Sequence, residues 1–231
     1  MSYYGTPGNL AIGVGTGQVP PVPFDQPKNL FRFGEQSLWS TQLHQAGAIA
    51  NSSFRLFSTP IGQQGQGFTN ALTIAETNLK EGGRVPAGVA YDVFGVACQV
   101  ALSTNAADVG GTISQSIDTQ ATIQSLLNII TNGVLSWDFT QTQVDIAPVN
   151  LVGAGGGAYG AVATGNAVNA GQMNNGAGHV WLYRKHPVAL PGSSTFSILL
   201  RYGSRAAAVA NNSVFCRVVL LGYYKNVIEI G

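Results

Sequence analysis

Charge is scarce in this sequence. Only 9% of its 231 residues are Asp, Glu, Lys or Arg, against about 25% in an ordinary soluble domain. Its polar surface must therefore come from Ser, Thr, Asn, Gln and backbone. Weak mutual repulsion favours association, so the composition suits a subunit that covers much of its surface with copies of itself. Cysteine is nearly absent as well. Cys98 and Cys216 are the two in the chain, and both fall in apolar, strand-like runs where a free thiol acts as a small hydrophobe. No disulfide framework and no CxxC pair appears. The N-terminus, Met-Ser-Tyr-Tyr-Gly-Thr-Pro, has neither a basic nor an apolar leader segment, so no signal peptide is expected. No run approaches the ~18 apolar residues of a membrane-spanning helix. Synthesis in the cytoplasm without export follows, and the sequons at Asn51 and Asn211 then carry no glycan.

Catalytic and metal-binding patterns are missing too. The histidines, His44, His179 and His186, are far apart, with no carboxylate or thiol at ligand spacing. There is no Gly-x-Ser-x-Gly elbow, and the few acids are dispersed. Gly153-Ala154-Gly155-Gly156-Gly157 is followed by Ala-Tyr-Gly-Ala-Val-Ala, which lacks the Lys and Ser/Thr of a phosphate-binding loop. No enzyme, cofactor or metal is expected. Basic residues are nowhere interleaved with aromatics as in a nucleic-acid groove. The charge is uneven: residues 1–145 hold five Lys/Arg and nine Asp/Glu, residues 146–231 six and one. If the two halves of the chain interleave, this asymmetry makes no two-faced molecule.

Apolar residues, by contrast, make up 45% of the chain, enough for a sizeable core. Residues 1–27 contain Pro20, Pro21, Pro23 and Pro27 and no Lys or Arg. They read as an extended arm, with Tyr3, Tyr4 and Phe24 as anchors for a neighbouring surface. Residues 28–50 read as transitional, so the arm and its junction cover 1–50 and the folded domain covers 51–231. Within the domain, short strands are expected at 54–57, 69–75, 89–102, 134–140, 143–147, 179–184, 195–202, 213–221 and 226–230. Alternation places Phe94, Val96, Cys98, Val100 and Leu102 on one face of the third. It places Leu135, Trp137 and Phe139 on one face of the fourth, and Val144 and Ile146 on one face of the fifth. Phe196, Ile198, Leu200 and Tyr202 share a face, as do Val214, Cys216, Val218 and Leu220. Ile123, Leu126, Leu127 and Ile130 have helical spacing, which predicts one short helix over about 119–131. Asp118 or Thr119 would cap its start, and Gly133 would close it. Residues 153–178 read as a long Gly/Ala/Asn loop. Many short strands with Gly/Pro/Asn turns and no internal duplication predict one all-β sandwich or barrel.

Five segments, in consistent order over about 54–230, resemble the jelly-roll major capsid proteins of small icosahedral bacterial viruses, including membrane-containing ones. They are Leu56-Phe57-Ser58-Thr59-Pro60-Ile61-Gly62 with Glu76-Thr77-Asn78-Leu79, and Gly83-Arg84-Val85-Pro86-Ala87-Gly88 leading into Tyr91-Asp92-Val93-Phe94-Gly95-Val96. The others are Asn132-Gly133 through Ala147-Pro148-Val149 to the glycine cluster, His186-Pro187-Val188-Ala189-Leu190-Pro191, and Val218-Val219-Leu220-Leu221-Gly222. The resemblance implies a single eight-stranded jelly roll that forms capsomers and tiles a closed shell. It implies copies of itself as partners, with minor capsid or vertex proteins and an internal membrane as further ones. It transfers no site residue. Because the arm has no positive charge before Lys28, it is not expected to bind the genome directly. The competing expectation is a viral spike or carbohydrate-binding module of the same fold, with Trp39, Trp137 or Trp181 stacking on sugars.

Overall fold

A computed structural model describes residues 29–44, 51–103, 130–139, 142–152, 156–159, 162–164, 167–169, 173–177, 180–183, 185–204 and 213–229. The chain is all-β, built on two antiparallel sheets. The first takes β1 (Asn29–His44), β13 (Ser213–Glu229), β3 (Val89–Ser103) and β10 (Trp181–Leu182) in that order, with β11 (Val188–Leu190) also on β3. The second takes β2 (Ser53–Leu56), β12 (Phe196–Tyr202), β4 (Gly133–Phe139) and β5 (Thr142–Pro148). Each sheet draws strands from both halves of the chain, so the charge asymmetry along the sequence does not divide them. A short helix, α1 (Val149–Val152), follows β5.

The core forms where the inward alternations meet. Phe196, Ile198, Leu200 and Tyr202 on β12 are buried, as are Cys216, Val218 and Leu220 on β13, all in one cluster. Trp137 on β4 stacks on Phe139 (5.6 Å, 10°) and donates its indole N–H to Tyr183 Oη at 2.8 Å. That bond ties the second sheet to the segment after β10. At the end of β2, Phe57 adopts φ 65°, rare for a bulky residue. Its N–H donates to Ser40 Oγ (2.8 Å), its carbonyl accepts from Gly83 (2.6 Å), and its ring lies 5.7 Å from Phe196. These contacts hold a conformation that costs about 1–3 kcal/mol.

Several expectations change. Residues 29–44, assigned to the arm and junction, pair along their whole length with β13. The strand was hidden because two of its inward positions, Ser40 and Gln42, are polar. Both are fully buried, yet they bond the backbone of Phe57 and Arg55 at the corner between the sheets. Residues 69–75 form a turn instead of a strand, with one bridge from Ala71 to Gln64. There Thr73 donates its N–H and Oγ1 to Glu76 Oε2. Segment 60–79 folds over the outside of the first sheet, and Phe68 and Leu72 make a second small core with Leu43 and Phe215.

Phe94 does not share the face of Val96. The β3–β13 register shifts, so that Leu221 faces Gly95 and Gly222 faces Val93. Phe94 is the extra residue of a β-bulge. Val93 and Tyr91 thereby join Val96, Cys98 and Val100 in the core, while Phe94 packs against Tyr223 at 4.9 Å. A second bulge, between Leu135 and Ser136, leaves Ile146 and Ala147 buried and Val144 47% exposed. Parts of the expected 153–178 loop pair as two ribbons: β6 (Gly156–Tyr159) with β9 (Met173–Ala177), and β7 (Val162–Thr164) with β8 (Ala167–Asn169). The expected strand at 226–230 is the continuation of β13. The expected helix lies mostly outside the described residues, apart from residues 130–132, which are helical. Gly133 opens β4 without a positive φ, so it is no left-handed cap.

Candidate interaction surfaces

The outer faces of the two sheets differ in chemistry. On the second sheet, Arg55 of β2 reaches over β12 to Asp138 of β4 (3.1 Å), and Arg201 of β12 reaches over β4 to Asp145 of β5. Ser136, fully buried beneath them, donates to Asp145 (2.8 Å) and accepts from Arg201 Nε (3.1 Å). Ser197 donates to Asp138 at 3.1 Å. Each ion pair therefore spans three strands. Exposed pairs contribute about 0–1 kcal/mol, so the network orders the face more than it stabilises the fold. Beside it lies a depression of about 400 Å³ lined by Arg55, Ser58, Asp138, Phe139, Thr195 and Ser197.

The first sheet mixes apolar and charged groups outside, for Glu35 and Asp92 flank Tyr223 there and are exposed. A Cβ on Gly95 would meet Val180 at 2.9 Å, Leu182 at 3.3 Å and Leu221 at 3.4 Å. The missing side chain lets those three close over the strand. Leu182, Tyr223 and Ile74 are exposed. The free edge of β1 is capped at Ser37 and Trp39. Asn78 Oδ1 accepts from the Trp39 N–H (2.9 Å), its Nδ2 donates to Ser37 O (2.7 Å), and its own N–H donates to Trp39 O (3.4 Å). Asn78 thus stands where another strand would pair.

A cavity of about 220 Å³ opens between the inner face of the first sheet and segment 78–86. Its wall is apolar, from Leu38, Leu79, Val85, Tyr91, Phe196 and Tyr224. Lys80 and Arg84 also line it and are exposed. Lys80 and Arg84 have no ion-pair partner among the described residues.

The sequence candidates scatter. Trp39 donates its indole N–H to Ile74 O, Trp137 is buried, and Trp181 is 37% exposed at the sheet edge. His44 packs edge-on against Phe54 (4.9 Å) and His186 is exposed; His179 lies outside the described residues. Gly156 and Gly157 begin strand β6. Among the described residues no three His, Cys, Asp or Glu side chains converge to hold a metal. No family model, no curated protein and no solved structure matches the chain. The ion-pair network and the Asn78 cap left no sequence signal beyond the outward alternation of Ser136 and Asp138, because their partners are far apart in the chain.

Cys98 and Cys216 are both buried, with sulfurs 3.8 Å apart. Cys98 faces Val218 and Cys216 faces Val100, so the two are diagonal neighbours. Diagonal Cα atoms lie about 7–8 Å apart, beyond the usual disulfide reach of about 6.8 Å. The hydrogen bond between the two thiols and burial both push the Cys216 thiol up, away from the reactive thiolate. A thiol-specific reagent is therefore expected to label neither cysteine in the native protein and both after unfolding. Rapid labelling of the native chain would contradict this packing.

Burial also raises Tyr91, Tyr183 and Tyr202 above the ordinary 10.0. The unfolded chain ionises these phenols near 10, whereas the folded chain keeps them protonated. Their contribution is thus fully present below that pH and is lost as pH rises through the folded values. Urea midpoints should fall between about pH 8 and about pH 10.5. Equal midpoints would show that these phenols are solvated in the folded state.

Proposed function

We propose that this chain is the jelly-roll subunit of an icosahedral viral shell. The observation that carries the reading is strand order. Lettered B to I in chain order, β1, β2, β3, β4, β5, β10 with β11, β12 and β13 give sheets B-I-D-G and C-H-E-F. This order supports a doubled Greek key wrapped into two sheets, an architecture found in viral capsid and lectin domains. The low charge and an arm without Lys or Arg before Lys28 add support. The function is geometric: a rigid sandwich supplies shape, and its outer faces, edges and arm meet neighbouring copies. Burial of apolar contact surface drives assembly at roughly 25 cal/mol per Å², less ordering costs. The partners are copies of itself in capsomers, with minor vertex proteins and an internal membrane beneath the shell as further ones. The place of action is the virion. No catalytic step is part of this reading.

Electron microscopy of the expressed protein tests it. Closed, uniform shells are expected; monomers at every concentration and salt condition would sink the proposal. A second reading, a carbohydrate-binding spike module, is favoured by the depression beside the Arg55–Asp138 pair, where Phe139 offers an aromatic surface. A soluble oligomer that binds glycans and never closes into shells would favour it over the first.

A further inference from the structure

We propose that the cavity under the first sheet binds a small apolar acid, an alkyl or aryl carboxylate, with its body against the wall and its carboxylate between Lys80 and Arg84. The wall sets the body. Leu38, Leu79, Val85 and Phe196 have no polar side-chain atom, and the Tyr91 hydroxyl is already bonded to the carbonyl of Gln36. A polar body buried there would lack partners. The volume of about 220 Å³ is below the roughly 300 Å³ at which pockets for drug-sized ligands begin, so the body is a single ring or a short alkyl chain. The head group is set by charge. Lys80 and Arg84 line the cavity, are exposed and have no ion-pair partner among the described residues. Glu81, between them in sequence, does not line it. Arg55 and Arg201, by contrast, each hold an aspartate, and Arg217 bonds Thr41 and the Ala75 carbonyl. Two such cations beside an apolar wall favour an anion with an apolar body over a neutral or cationic one.

The site is built before a ligand arrives. Gly83 donates to the carbonyl of Phe57 (2.6 Å) and accepts from Phe196 (3.0 Å), while Val85 donates to the carbonyl of Ser194 (3.1 Å) and accepts from Ser193 (2.9 Å). The backbone of Arg84 is thus held on both sides. The carbonyl of Leu79, just before Lys80, accepts from Ile61 at 3.0 Å. Across the cavity, a Cβ on Gly34 would meet the Tyr224 ring at 2.6 Å, so glycine there gives that ring its place in the wall. A wall and two cations fixed in this way leave little to be ordered on binding.

Isothermal titration calorimetry of the full-length chain with octanoate tests this, with octylamine as the probe of opposite charge. Octanoate should bind about tenfold tighter than octylamine, and its affinity should fall as salt is raised. Lys80→Glu combined with Arg84→Glu should weaken octanoate about tenfold and strengthen octylamine. Both side chains are exposed, so the variant should keep the fold, and an exchanged preference is not something a damaged fold produces. No octanoate binding by the full-length chain, equal affinity for the two probes, or a variant without the exchange overturns the proposal. Octanoate binding that appears only in Phe24→Ala would make the chain's own arm the occupant and overturn it as well. Particle imaging separates this site from the shell reading: shells whose subunits ignore octanoate leave the shell standing and remove the site. Octanoate-binding chains that never form particles do the reverse.

Discussion

Gly222→Ala is expected to destabilise the domain by about 3 kcal/mol, the cost of forcing a methyl group into a packed interior. Gly222 lies at the β3–β13 bulge. A Cβ there would stand 2.6 Å from the carbonyl oxygen of Asp92 and 2.6 Å from the ring of Tyr91. Neither can retreat. The first is strand backbone. The ring is 2% exposed, and its hydroxyl donates to the carbonyl of Gln36 and lies 3.1 Å from that of Leu220. These bonds supply partners to carbonyls where the bulge disturbs the ladder. A shifted ring would give them up, adding about 1–3 kcal/mol for groups left unsatisfied. Gly203→Ala is the control, because nothing lies within 4 Å of its would-be Cβ. It should stay within about 0.5 kcal/mol of the parent. Urea unfolding measures both variants; equal effects would mean that the bulge does not constrain position 222.

Removal of residues 1–27 is expected to abolish closed particles while leaving the unfolding midpoint nearly unchanged. The first described strand, β1, begins at Asn29, so the deletion removes none of the described strands that pair in the two sheets. Its effect should therefore fall on association. The deletion removes Tyr3, Tyr4 and Phe24 with the rest of the arm, and several weak contacts per copy multiply around a closed assembly. Light scattering and negative-stain imaging would report the loss, and far-ultraviolet circular dichroism the retained fold. Normal particles from the truncated chain would falsify a role for the arm. A collapsed circular dichroism signal would instead make residues 1–27 part of the folding unit.

The legible parts of the fold were those where one physical rule acts alone. Strands β12 and β13 alternate apolar and polar residues because one face meets the core and the other does not. Their inward sets, Phe196 to Tyr202 and Cys216 to Leu220, follow from that period. Strand β1 was illegible for the opposite reason. Its inward Ser40 and Gln42 bond the backbone of Phe57 and Arg55, partners that period-2 reading cannot see. The bulge at Phe94 defeats alternation in the same way: one inserted residue exchanges the faces beyond it. The turn at 69–75 had apolar residues enough for a strand, but Leu72 packs outside the sheet with Phe68.

The sequence by itself determined the all-β class, the position of most principal strands and the scarcity of charge. Those properties are local: composition and periodicity depend on a residue and its near neighbours. Only the tertiary structure decided that β1 belongs to the sheet, that the two outer faces differ, and that Lys80 and Arg84 line an apolar cavity. Each depends on side chains brought together from distant positions by sheet order. The scarcity of charge gains its meaning there. Arg55, Asp138, Asp145 and Arg201 lie on one outer face, while Leu182 and Tyr223 lie exposed on the other sheet, because interleaving the chain sorts residues by strand parity and not by sequence position.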